Sequence, residues 1–91
     1  MPGVPRADYN DPPSELLRLG QALCALRQRK GLKQIELATA AGISESQVSD
    51  IERGKNNPGW RLIVRIVNDG LDLTISDLAD AYARADDGDN G

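Results

Sequence analysis

Apolar residues recur along this chain at spacings of three and four, in five short runs separated by glycine, proline and small polar residues. Leu16, Leu19, Leu23 and Leu26 make the first stripe, which predicts a helix from Ser14 to about Lys30. Leu37 and Ala41 mark a second helix over about Gln34–Ala41, and Val48 and Ile51 a third over about Glu45–Arg53. Leu62, Ile63, Ile66 and Val67 predict a fourth over about Pro58–Asn68. Leu78, Ala81, Tyr82 and Ala85 give the fifth, about Asp77–Arg84, one apolar face. No run alternates with a period of two, so nothing competes for strands. The expected fold is an all-α, compact five-helix bundle.

The punctuation agrees with these limits. Ser14, Ser44 and Ser76 are placed to cap the first, third and fifth helices. Asn57-Pro58 reads as a cap followed by proline at the first helical position. Gly31, Gly42, Gly54 and Gly70 follow the first four helices. Gly20 lies inside the first helix, where it costs about 1 kcal/mol relative to alanine and can admit a close neighbour. The expected organisation is a Pro-rich disordered arm over residues 1–13, one domain over 14–85, and a disordered acidic tail over 86–91.

The stretch from Gln34 to Arg53, QIELATAAGISESQVSDIER, is the most specific part. Ala38 is small where two helices would cross, and Gly42 stands where the turn needs positive φ. Ile43 can point inward. Val48 and Ile51 give the following helix one buried face, which leaves Glu45, Ser46, Ser49, Asp50 and Arg53 outward. That is the layout of a helix-turn-helix whose second helix enters a groove. The plainer alternative is two core helices joined by a glycine turn.

Composition narrows the classes. Cys24 is the single cysteine, which excludes an internal disulfide framework and fits a reducing, cytoplasmic setting; its plain role is a small, partly buried side chain. With no histidine and one cysteine, no tetrahedral zinc ligand set is expected, and no cofactor motif is present. No membrane span or signal-peptide pattern is visible. An enzyme is not expected, because no nucleophile–base pair and no phosphate-cradling loop occur. The net charge is −3, but its distribution matters. Residues 14–70 hold nine cations and six anions, net +3, and the rest carries −6. A net +3 is a weak field for DNA. Trp60 is expected to pack helix 4 rather than stack on a base, since duplex DNA hides base faces.

The segments LRQRKGLKQIELA, AGIS and VSDIERGKNNP, within Leu19–Leu78, resemble the phage repressor and Cro family, also called the XRE family. The resemblance implies a lambda-repressor-like fold with the second and third helices as the DNA-binding pair. It implies that Glu45, Ser46, Ser49 and Asp50 lie at base-reading positions. Gln34, Ser44, Gln47, Lys55, Asn56, Asn57 and Arg61 fall at positions expected to meet phosphates. Arg27 and Glu52 match a pair that joins the first helix to the end of the third. One departure is chemical: Glu45 and Asp50 are acidic where the family often carries Gln, Arg, Lys or Asn. A carboxylate accepts from cytosine N4 but cannot read the guanine acceptors.

The function these readings imply is a sequence-specific transcription regulator, binding double-stranded DNA as a homodimer on a palindromic operator. Leu73, Ile75, Leu78 and Tyr82 are the expected dimer contacts, being apolar and far in sequence from the third helix. Two alternatives stay open. One is an antitoxin that binds DNA and a protein partner; the other is a helix-turn-helix module that binds only a protein.

Overall fold

The structure, a computed structural model, describes residues 13–90, with side chains through Ala85. Among the described residues there are five α-helices and no strand: α1 (Ser14–Arg29), α2 (Gln34–Ala41), α3 (Glu45–Glu52), α4 (Trp60–Arg65) and α5 (Ile75–Asn90). α4 runs into a π-helical turn, Ile66–Gly70. The all-α expectation is met, and α2 has the limits read from the sequence.

The first three helices end in the same way. After α2, the Ile43 N–H donates to the Ala38 carbonyl at 2.9 Å and the Gly42 N–H to the Thr39 carbonyl at 3.2 Å. Gly42 has φ +75°, a conformation a Cβ would disfavour. The paired bonds recur after α1, from Leu32 and Gly31, and after α3, from Lys55 and Gly54. Each satisfies carbonyls that a helix end leaves without partners.

Of the three expected serine caps, Ser44 caps α3 and the other two do not cap. Ser14 is already helical, and the Pro13 carbonyl takes the Leu16 and Leu17 N–H groups. Ser76 lies inside α5, and Thr74 caps instead: its Oγ1 accepts from the Asp77 N–H, and Asp77 Oδ2 accepts from the Thr74 N–H. A capping box needs an acid or amide three residues on. Thr74 has Asp77 there, whereas Ser14 has Leu17 and Ser76 has Ala79. α4 starts at Trp60 after Gly59, not at Pro58, and Asn57 makes no cap. Helix 4 also ends as a wider turn, in which the Leu71 N–H reaches the Ile66 carbonyl at 2.9 Å. The extra residue brings Ile66, Val67 and Leu71 all into the core.

Leu23, Leu26, Leu37, Val48, Ile51, Ile66, Val67 and Leu71 form the centre of that core, with Ala22, Ala38 and Ala41 at the close crossings. α1 packs on α3 and α5, and α2 packs on α3 and on the π-helical turn. At the α1–α3 crossing a Cβ on Gly20 would land on the carbonyl oxygens of Ile51 and Glu52. The close packing expected of Gly20 is therefore backbone against side-chain-free backbone. Trp60 corrects the sequence reading: it is 62% exposed, because it opens α4 on the solvent side. α5 extends beyond the expected Arg84 limit; the arm over 1–12 and the side chains of the 86–91 tail lie outside the described residues.

Candidate nucleic-acid interface

α3 is held by both of its ends. At the start, the Gln47 N–H donates to Ser44 Oγ at 3.1 Å and the Ser44 N–H to Gln47 Oε1 at 3.0 Å. This reciprocal box satisfies two N-terminal groups and sets the entry angle of the helix. It also occupies two side chains assigned to phosphates from the sequence. Its signature, Ser-x-x-Gln, is local in sequence, and the Gln47 half goes beyond the Ser44 cap expected above.

At the far end, Arg27 of α1 grips Glu52. Its Nε donates to Oε2 at 2.7 Å and its Nη2 to Oε1 at 3.1 Å. The side chains are only 12% and 6% exposed. The Arg27 Nη1 donates to the Leu32 carbonyl at 2.7 Å, so the guanidinium also secures the link to α2. The hydrogen bond to Glu52 raises the Arg27 pKa above its ordinary value. Gln34 joins the same group: its Nε2 donates to Glu52 Oε1 at 3.0 Å. α1, α2 and α3 therefore meet at one carboxylate. Cys24 lies beside it, 3.5 Å from Arg27 Nη2. Burial, and then the Glu52 carboxylate, push the thiol pKa up, so Cys24 remains a neutral thiol at neutral pH.

Between these anchors Val48 and Ile51 face the core. Glu45, Ser46 and Gln47 are exposed, while Ser49 and Asp50 are half-buried. Asp50 Oδ1 accepts from Arg53 Nη2 at 3.1 Å. Arg53 faces outward, as the sequence implies, and the sequence signal for its pairing is its position three residues after Asp50. Lys55, Asn56 and Asn57 are exposed in the loop after α3, and Arg61 is exposed on the second residue of α4. Gln34 is half-buried at the start of α2. The exposed cations Lys55 and Arg61 both follow α3 in sequence.

The apolar residues of the C-terminal part divide. Leu78 is 7% exposed and belongs to the core against α1, so it offers no surface for a second chain. That corrects its assignment as a contact: the stripe that looked free in sequence turns inward. Tyr82 is half-buried, with the Arg18 guanidinium carbon 4.3 Å from its ring centre and Arg18 Nε donating to its carbonyl at 2.7 Å. Leu73 and Ile75 are half-buried. Among the described residues no cluster of potential metal ligands occurs, and no helix is long and apolar enough to cross a membrane.

Comparison with known proteins adds an independent line. A family profile described as a helix-turn-helix domain matches residues 18–88. Over 62 residues the chain is 36% identical to the HTH-type transcriptional regulator DdrOP3 of Deinococcus deserti, covering 68% of this chain and 47% of that protein. It is 39% identical over 59 residues to the ImmF control region 10 kDa protein of Bacillus phage phi105, covering 64% of this chain and 66% of that one. The chain therefore spans about half the length of the Deinococcus protein. Among solved structures, the clp gene regulator ClgR of Corynebacterium glutamicum superposes with a TM-score of 0.74 at 28% identity, over 84% of this chain and 96% of that one. The restriction-modification controller protein C.AhdI of Aeromonas hydrophila gives 0.69 at 35% identity, over 72% and 98%.

Proposed function

The chain belongs to the helix-turn-helix domain family, and from that premise we propose that it is a sequence-specific, DNA-binding transcription regulator. The carrying observation is α3: one face buried through Val48 and Ile51, one face open, and both ends fixed by the Ser44–Gln47 box and the Arg27–Glu52 pair. A helix fixed in this way enters a major groove without having to order itself first. The relatives named as transcriptional regulators and controller proteins support the same reading.

On this reading Ser46 and Asp50 approach base edges, with Glu45 and Ser49 beside them. Asp50 accepts from a cytosine N4 amino group, the contact a carboxylate can make. Lys55, Asn56, Asn57 and Arg61 hold phosphates; Gln34 adds its backbone N–H at the start of α2, and Ser44 with Gln47, bonded to each other in the cap, act indirectly by orienting the remaining N-terminal N–H groups of α3. The protein performs no catalysis of its own and works in the cytoplasm. It acts as a homodimer on a two-fold operator, through Leu73, Ile75 and Tyr82. Successive major grooves lie about 34 Å apart, and a contact at the α5 end of the bundle leaves both copies of α3 free to reach them.

The test is a selection from a randomised duplex pool followed by gel-shift of the winners. Retained fragments with two-fold symmetry support the regulator. A pool from which nothing is retained sinks it and favours the second reading, a protein-binding module, to which the exposed Glu45 lends some weight.

A further inference from the structure

Ser46, Asp50 and Arg53 stand at i, i+4 and i+7 on α3 and its C-cap, so they share the face opposite Val48 and Ile51. Arg53 Nη2 donates to Asp50 Oδ1 at 3.1 Å, and the two side chains keep 59% and 42% of their surface open to solvent. The neighbouring acid, Glu52, is already bound by Arg27 and Gln34. The cation that meets Asp50 in this structure is therefore Arg53.

We infer that Arg53 is a specificity-determining residue that acts through Asp50, turning a carboxylate that DNA would repel into an oriented acceptor for cytosine. The inference rests on the regulator reading above. A bare carboxylate entering a major groove meets the negative potential of two phosphate strands. Paired with a guanidinium, it enters as a neutral unit. One oxygen is held by Arg53, and the other keeps its lone pairs for a donor. The donor that the major groove supplies at a base edge is the amino group of cytosine or adenine; adenine's lies next to an acceptor, N7, which a carboxylate cannot satisfy. Cytosine is thus the base this pair selects. Arg53 is a positioning residue in that contact, one helical turn beyond Asp50.

A double-mutant cycle decides it, using the full chain and a duplex recovered by the wild-type protein from a randomised pool. Binding is measured to that duplex and to versions with each half-site base replaced in turn, for Asp50→Ala, Arg53→Ala, the double variant and Arg53→Lys. Arg53→Ala should lower the cytosine preference about two- to fivefold, the range of an exposed pair, at the one position Asp50→Ala also affects. The double variant should discriminate no worse than Asp50→Ala alone, and Arg53→Lys should restore most of the preference. Equal weakening on every duplex with a shallower salt dependence would make Arg53 a phosphate clamp and overturn the inference. A change at a different base position would do the same, since Arg53 would then read a base itself. If the wild-type chain retains no duplex, the regulator reading falls first and this inference with it. If it retains one, a failed cycle counts against the Arg53 role alone.

Discussion

Arg27 on α1 and Glu52 at the end of α3 form a two-pronged ion pair, with N···O distances of 2.7 and 3.1 Å. They sit 25 residues apart in sequence and nearly out of solvent. Removing Arg27 leaves the Glu52 carboxylate with only the Gln34 amide to compensate it, and it also frees the Leu32 carbonyl. Arg27→Ala should therefore cost about 3 kcal/mol, read as a lower denaturation midpoint in urea. Arg27→Lys should fall between the two, because an ammonium cannot reproduce the fork. Equal stability of wild type and Arg27→Ala would show that the pair is dispensable.

Gly20→Ala tests the α1–α3 crossing. The new methyl meets two backbone carbonyls, which cannot rotate away as a side chain could. The helices must separate, at a cost of about 1–3 kcal/mol, although alanine is the better helix former. A melting temperature raised by the substitution would mean that the crossing has room.

Ser44→Ala removes the oxygen that caps α3. The expected loss is about 1 kcal/mol, accompanied by faster amide exchange at Gln47. Exchange at Gln47 that stays at the wild-type rate would show that the cap contributes little.

The Asp77 carboxyl lies below the ordinary aspartate value, because the Thr74 N–H and then its hydroxyl donate to it; attraction from Arg29 and Lys30 adds to this. A folded-state pKa below the unfolded one stabilises the fold above the unfolded value. That contribution disappears as the pH falls through the lowered folded value. Thermal melts between about pH 5 and pH 3 should show wild type losing more stability than Asp77→Asn. Parallel loss in the two proteins would reject the assignment.

Arg61→Ala is the test of backbone contact. It should weaken binding to all duplexes alike and reduce the slope of log affinity against log salt by about one. An unchanged slope would place Arg61 away from the phosphates.

Some of this was legible in the chain and some was not, for identifiable reasons. The limits of α2 and the turn at Gly42 follow from apolar spacing and one glycine, both local signals. The Arg27–Glu52 pair came into view only through the family resemblance, since nothing in the spacing links residues 25 apart. Ser76 misled because capping depends on the residue three positions on, which favours Thr74 with Asp77. The π-helical turn was hidden because its apolar residues also fit an ordinary helix followed by a linker. Leu78 looked available for a partner because a stripe does not say which neighbour it faces. The pairing of Arg53 is not legible in the apolar pattern because it depends on a side-chain contact with Asp50.

The allocation of side chains along α3 has a consequence for descent. Val48 and Ile51 are committed to the core, Glu52 to α1 and α2, and Ser44 with Gln47 to the cap. Changes at those positions are paid for in stability. Glu45, Ser46, Ser49 and the Asp50–Arg53 couple carry no such obligation. After a gene duplication, two copies of this domain could drift apart at those positions alone and come to recognise different sites while remaining equally well folded. Glu45 and Ser46 would change singly. Asp50 and Arg53 would have to change together, so substitutions at these two positions should be correlated among relatives.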